Sequence, residues 1–90
     1  MKIKERNDFA FDVLIEAEHA RNTYYIHVSF DKGVVCSISI TRNWENVLIF
    51  DSENFGWQIT PADKQTAHVF KETLKLLNLT MPERQEKGIA

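Results

Sequence analysis

The chain has 90 residues, of which 43% are hydrophobic and 27% charged, and its formal net charge is −2. A chain of this length forms one domain, and its core is large enough to fold without metal or disulfide staples. The nearly balanced charge argues against a protein held to nucleic acid or anionic lipid by its overall field, and equally against a heavily acidic nucleic-acid mimic.

Cysteine usage and the N-terminus indicate the compartment. The single cysteine, Cys36, cannot form an internal disulfide. Basic residues precede the first apolar stretch, but Asp8 and Asp12 interrupt it and no small-residue cleavage site follows. No segment approaches the ~20 apolar residues of a membrane span. We therefore expect a cytoplasmic protein that contacts no membrane.

Three runs of alternating apolar and polar residues span Asp8 to His19, Thr23 to Phe30 and Val34 to Thr41. A period of two is typical of strands with one buried face, so we predict three consecutive antiparallel strands. The residues expected to face the core are Phe9, Phe11, Val13, Ile15 and Ala17, then Tyr24, Ile26, Val28 and Phe30, then Val34, Cys36, Ile38 and Ile40. A helix after Asn7 is the alternative for the first run, because short apolar runs are ambiguous.

Two turns define the predicted register. The segment 31–33 has the chemistry of a three-residue hairpin loop, because Gly33 adopts a positive φ without steric penalty. Arg21 and Asn22 are expected to form a tight turn that places Ala20 opposite Thr23 and keeps both buried faces on one side.

Two shorter strands are predicted next, Val47 to Phe50 and Phe55 to Thr60, joined by the turn formers of segment 51–54. Alternation in the last strand is expected to place Phe55, Trp57 and Ile59 in the core, beneath the helix that follows.

Thr60-Pro61-Ala62-Asp63 has the features of a helix start, with a capping hydroxyl, a proline at the first helical position and an acid in the first turn. The helix should end near Asn78, before Pro82. Its predicted buried face contains Thr66, Phe70, Thr73, Leu74 and Leu77, is extended by Met81 and is flanked by Val69 and Leu76. The predicted fold is α+β, a five-stranded antiparallel meander with one C-terminal amphipathic helix packed on one face. Residues 1–81 form the domain and residues 82–90 a flexible polar tail.

Three residues in the predicted register resemble the components of a hydrolytic triad. Glu16 falls opposite His27, and His27 opposite Ser37, on the side of the sheet without the helix. A triad also needs an oxyanion hole and a dry cleft, which an open sheet face does not provide. A small hydrolase is therefore an alternative, and the main expectation is a protein without catalytic residues, metal or cofactor, since no ligand pair has metal-site spacing.

The predicted helix carries one basic stripe, defined by Lys64, His68, Lys71 and Lys75 at i, i+4, i+7 and i+11. Such a stripe is usually the solvated face of an amphipathic helix. Nucleic-acid binding through the basic stripe is a second alternative, although nucleic acid is an improbable partner because aromatic platforms flanked by basic residues are lacking.

The side of the sheet without the helix carries apolar residues that suggest a contact surface for protein. The candidate protein-binding residues are Leu14, Tyr25, Val35, Trp44, Val47 and Ile49. The first strand has a free edge that invites a second chain. We therefore expect a regulatory, inhibitory or accessory protein that binds another protein or its own copy as a homodimer. A phage or other mobile element is a suggested source by association only.

Overall fold

The computed structural model of the chain describes residues 1–7 and 11–82. Its elements are β1 Lys2–Asn7, β2 Asp12–His19, β3 Asn22–Asp31, β4 Val34–Arg42, β5 Glu45–Asp51, β6 Gly56–Ile59 and α1 Lys64–Leu77. The strands form one antiparallel sheet in the order β1-β2-β3-β4-β5-β6, a meander in which each strand pairs with its chain neighbour. The predicted α+β class, with one C-terminal helix on one face, is confirmed.

The sheet has six strands, one more than predicted. The additional strand, β1, pairs with β2 along its length, from Lys2 opposite Glu16 to Asn7 opposite Asp12. The predicted first strand is shorter than expected, because Phe11 lies in the turn before β2 with a φ of 53° and is exposed. Asp8 and Phe9 lie outside the described residues. The helical alternative for the first run is wrong, since Asp12–His19 is a strand.

Three hairpins close through two-residue turns, Ala20-Arg21, Lys32-Gly33 and Asn43-Trp44, each with positive φ at both residues. Positive φ at both positions is the requirement of the type I′ turn, whose twist matches that of the flanking strands. The predicted Arg21-Asn22 turn and the three-residue loop at 31–33 are therefore wrong. Moving the first turn shifts the register by two residues, which keeps every side chain on its predicted side of the sheet.

The core lies between the sheet and α1. Strand residues of the buried side are fully or nearly inaccessible: Val13, Ile15, Ala17, Tyr24, Ile26, Val28, Ile38, Ile40, Leu48 and Phe50. The prediction for Val34 and Val35 is reversed, because the two-residue turn pairs Asp31 with Val34 and Phe30 with Val35. Val35 is therefore buried in the core and Val34 is exposed. A bulge at Cys36 then restores the expected alternation for Ile38.

Helix α1 begins later than predicted. Asp63, with extended backbone, is the N-cap, and one of its carboxylate oxygens accepts from the Thr66 backbone N–H at 2.7 Å. Thr60 and Pro61 thus precede the helix, because the Asp63 carboxylate satisfies an amide of the first turn that would otherwise have no partner. The predicted end is confirmed, since Asn78 adopts the left-handed conformation at the C-cap.

The helix buries the predicted face against the sheet. Thr66, Val69 and Thr73 are buried, Phe70, Leu74, Leu77 and Met81 are half-buried against the core, and Leu76 remains exposed. Beyond the helix, the Thr80 N–H donates to the Gly33 carbonyl and the Val35 N–H donates to the Thr80 carbonyl, both at 2.9 Å. These bonds attach the segment that follows α1 to the β3–β4 hairpin. Of the predicted tail, residues 83–90 lie outside the described part of the chain.

The two aromatics flanking Gly56 have different surroundings. Trp57 contacts Phe50 and Phe70 edge-on, with ring centroids 5.1 and 5.7 Å apart. It therefore packs beneath the helix as predicted, but it lies at the margin of the core, because 41% of it is exposed. Phe55 precedes β6, has a φ of 66° and is 101% exposed, so its predicted place in the core is wrong. The hydrogen-bonded turn that follows Asp51 extends to Phe55 and directs this ring into solvent.

Candidate interaction face

The side of the sheet opposite α1 is called here the open face, because no described element covers it. Its central row runs from β1 to β6 through paired residues: Glu5, Leu14, His27, Ser39, Ile49 and Ile59. The neighbouring row contains Glu16, Tyr25 and Thr41. Of the six candidate residues, Leu14, Tyr25 and Ile49 lie where the sequence placed them and are half-buried by their neighbours in the sheet. Trp44, in the adjoining turn, is the fourth.

Trp44 is the most prominent side chain of the open face. It lies in the β4–β5 turn with a φ of 71°, and its ring stacks on Tyr25 with centroids 5.2 Å apart and an interplanar angle of 21°. Trp44 is nevertheless 82% exposed, so the stack shields only one face of the indole. The second position of a type I′ turn is best occupied by glycine. A bulky residue in the left-handed region is strained by about 1–3 kcal/mol, and such strain often marks a functional position.

A bulge in β6 adds Ile59 to the open face. Phe50 pairs with Trp57 beneath the helix, and Ile49 pairs with Ile59, so Gln58 is the additional residue between the two pairs. Alternation alone had predicted Ile59 under the helix, on the same side as Trp57. Sequence reasoning missed this residue because no composition signal marks the bulge.

Two of the predicted interaction residues do not belong to the open face. Val35 is buried in the core, because the two-residue turn pairs it with Phe30. Val47 is the additional residue of a bulge in β5, between Asn46 opposite Thr41 and Leu48 opposite Ile40. It is half-buried and packs against the core cluster. The apolar part of the open face is therefore Leu14, Tyr25, Trp44, Ile49 and Ile59.

The predicted row of Glu16, His27 and Ser37 does not form. The shifted register pairs Glu16 with Tyr25, and His27 with Leu14 and Ser39. A different polar group forms instead: the Ser29 hydroxyl donates to the Asp12 carboxylate at 2.6 Å, and His27 Nε2 lies 3.9 Å from the same oxygen. The carboxylate lies between the hydroxyl and the imidazole, whereas in a hydrolytic triad the imidazole lies between the other two groups.

The open face carries more acidic than basic side chains. Glu5, Asp12, Glu16 and Glu18 project from β1 and β2 on this side. The basic side chains that the described strand residues place here are Lys2 and Lys4, on the edge strand β1, and His27, in the central row. Lys4 forms an ion pair with Glu16 at 3.3 Å. Anionic character therefore prevails around the Tyr25–Trp44 stack.

Two carboxylates with lowered pKa values stabilise local structure away from the open-face stack. The pKa of Asp63 is lowered, first by the Thr66 amide and then by Arg42, which donates to Asp63 at 2.9 Å. The pKa of Asp51 is lowered by the Asn54 side chain and the Glu53 amide, which organise the β5–β6 turn. These shifts accompany turn formation at Asp51 and helix capping at Asp63.

Arg42 and Cys36 also have shifted pKa values. The pKa of Arg42 is raised, first by the nearby Tyr24 hydroxyl and then by Asp63, although the buried hydroxyl has no hydrogen bond of acceptable geometry among the described residues. The pKa of the Cys36 thiol is raised, first by burial and then by Asp31, Glu53 and Asp51. A raised pKa keeps the thiol protonated and unreactive.

The basic stripe on α1 is exposed along its whole length. Lys64, His68, Lys71 and Lys75 all lie on the solvent side of the helix. The His68 ring stacks on His19 at 4.5 Å, and Lys75 approaches Glu72 at 3.9 Å. In residues 1–7 and 11–82, no group of three or more histidine, cysteine, aspartate or glutamate side chains is placed to hold a metal ion. No helix in the same ranges is long and apolar enough to cross a membrane.

The architecture defines an α+β class, a six-stranded meander with one covering helix. The chain matches no protein-family model, no curated protein and no solved structure.

Proposed function

We propose that the protein is a small protein-binding module that docks its partner on the open face and has no catalytic chemistry of its own. The observation that carries this proposal is the conformation of Trp44. Its large ring is 82% exposed in a turn whose backbone favours glycine, and it is stacked on Tyr25 over the sheet. Tryptophan and tyrosine are the residues most enriched among those that dominate protein interfaces.

The surroundings of the stack support docking of a protein. Leu14, Ile49 and Ile59 extend from it across the sheet and give an apolar strip bordered by polar residues. An apolar centre with a polar rim is the usual anatomy of a protein interface. Such a role suits a regulatory, inhibitory or accessory polypeptide. We further propose a cytoplasmic location, because the single free cysteine matches a reducing compartment.

The sequence suggested a homodimer formed through a free edge of the strand that is now β2, but that edge is not free. The β2 edge that appeared free is paired with β1, whose charged residues now form the sheet edge. Charge on an edge strand opposes edge-to-edge association. A mass measurement by light scattering at high concentration tests whether a second copy of the chain occupies the open face.

Site-specific photocrosslinking tests the proposed function. A photoreactive amino acid replaces Thr41, which lies beside Tyr25 on the open face, and the matched control carries it at Gln65, which is exposed on α1. In lysate of the native host, we expect a discrete crosslinked protein from position 41 only, and its loss when Trp44→Ala is added. Identical products from both positions, or products unaffected by Trp44→Ala, would contradict docking on the open face.

A further inference from the structure

We infer that the partner presents an arginine side chain flanked by apolar residues, and that the guanidinium stacks on the outer face of Trp44. This inference rests on the proposed function and specifies the chemistry of its partner. It follows from three features: the free indole face, the carboxylates beside it and the apolar row across the sheet.

The Tyr25–Trp44 stack provides a platform for a cation. Tyr25 covers one face of the indole at a centroid distance of 5.2 Å, and the exposure of Trp44 leaves its other face free. The negative potential over an indole face attracts cations, and tryptophan is the best of the aromatic side chains in this role. Arginine suits the platform better than lysine, because its planar guanidinium stacks on aromatic rings and is more weakly hydrated.

Two carboxylates lie on β2, the strand that pairs with β3 beside Tyr25. Glu16 is directly opposite Tyr25 and Glu18 is opposite Thr23, two residues along the same strand. Directly opposed residues have Cβ atoms ~5 Å apart and diagonal neighbours ~7–8 Å, which a long side chain spans. Lys4 engages Glu16, whereas Glu18 is exposed and forms no ion pair with any residue in the described ranges. Glu18 is therefore the carboxylate that an incoming arginine would pair with.

The same charge distribution disfavours two other occupants. Two copies related by a two-fold axis would use the same net acidic face on both subunits, and this like charge opposes their association. Nucleic acid would bring phosphates to a surface where carboxylates outnumber the basic side chains of β1, whereas nucleic-acid binding depends on basic side chains. A positively charged apolar segment complements both the carboxylates and the row of Leu14, Ile49 and Ile59.

Peptide titration tests this inference without knowledge of the natural partner. One synthetic peptide carries two arginines among leucines, and its control carries citrulline, the uncharged analogue, at both positions. Binding is followed by backbone amide shifts of the unmodified protein. It is followed independently by Trp44 fluorescence in the Trp57→Phe variant, where Trp44 is the remaining tryptophan. We expect the arginine peptide to bind about tenfold more tightly, with shifts centred on Tyr25 and Thr41.

Protein variants identify the groups responsible. We expect Glu18→Gln to reduce the preference for arginine over citrulline several-fold, and added salt to do the same. The matched control Lys71→Gln, on the exposed side of α1, should leave both affinities unchanged. Trp44→Leu keeps an apolar side chain but removes the π face, so it should abolish the preference.

The outcomes separate this inference from the proposed function. Equal affinities for the two peptides, with both lost in Trp44→Leu, would overturn the arginine assignment and leave docking on the open face intact. Absence of binding by either peptide would likewise overturn the assignment, and the photocrosslinking experiment then decides the proposed function. Shifts located on α1 rather than around Tyr25 would contradict both.

Discussion

The two sides of the sheet are built from the same strands, yet they differ in what covers them. On the side beneath α1, Ile26 and Ile40 are completely buried, and their partners on the helix include Val69. Ile49 lies in the same β4–β5 hairpin as Ile40, but its side chain is on the open face and is only half-buried. The comparison teaches that alternation assigns a residue to a side, whereas the covering element decides how much stability the residue contributes.

The largest expected difference compares isoleucines on the two sides. Ile40→Ala should lower the free energy of unfolding by about 2–5 kcal/mol, because it leaves a cavity in a close-packed core. The matched Ile49→Ala should lower it by less than about 1 kcal/mol, because Ile49 packs against fewer atoms and leaves no enclosed void. Urea denaturation of both variants checks this pair. Equal losses would mean that the open face is covered in solution.

A smaller difference is expected between the two aromatics beside Gly56. Trp57→Ala removes the contacts with Phe50 and Phe70 and should destabilise the protein by about 2 kcal/mol, below the value for a fully buried ring because Trp57 is 41% exposed. Phe55→Ala should change stability by less than about 0.5 kcal/mol, since the ring lies wholly in solvent. Thermal melts of the two variants measure the difference. A large effect of Phe55→Ala would show that this ring packs against the protein.

The connection between the helix and the sheet gives the next prediction. Asp63→Ala removes the N-cap of α1 and the ion pair with Arg42, and should lower stability by about 1–2 kcal/mol. Asp63→Asn is the control, because asparagine keeps the cap and loses only the charge.

The lowered pKa of Asp63 fixes the sign of the pH dependence. Its stabilising contribution is complete above the pKa of the unfolded state and is lost as the pH falls through the lower folded-state pKa. Denaturation curves between about pH 6 and pH 2 should therefore converge for the wild type and Asp63→Ala at the acidic end. Curves that remain parallel over this range would contradict a charged cap.

The smallest expected effect on stability is at Trp44. Trp44→Gly provides the residue that the turn prefers and loses the stack on Tyr25, so the two changes nearly cancel and unfolding should shift by less than about 1 kcal/mol. Binding on the open face should be lost entirely. Parallel measurement of unfolding and of the crosslinking at position 41 checks both. A strongly destabilised variant would assign Trp44 a structural role.

The sequence predicted, for most strand residues, the face of the sheet on which each side chain lies. It did not predict which residues lie opposite one another on neighbouring strands. The residues that face the core as predicted include Val13, Ile15, Tyr24, Ile26 and Val28. They do so even though the register between β2 and β3 differs from the prediction by two residues. A shift of two preserves every side, because side chains alternate with a period of two. The same shift replaces every opposing residue of the β2–β3 hairpin and separates Glu16 from His27. The two-residue turn and the bulge at Cys36 separate His27 from Ser37.

Strand β1 and the N-cap show where pattern reasoning loses information. The residues of β1 are exposed and mostly charged, so no apolar alternation distinguishes Lys2–Asn7 from a loop. The strand exists because β2 offers an edge with unpaired backbone groups. At the helix start, the sequence predicted Thr60 as the cap and Asp63 as an acid of the first turn, whereas Asp63 is the N-cap and also pairs with Arg42.

The α+β class, the sides of the central strands and the helix with its buried face follow from the amino-acid sequence, because periodicity and residue chemistry act within each segment. Only the tertiary structure decided the bulges that move Ile59 to the open face and Val47 against the core, and the turn that places Trp44 over Tyr25. A bulge or a turn type is selected by the pairing of two strands. Its stability therefore depends on interactions between residues that are distant in the chain.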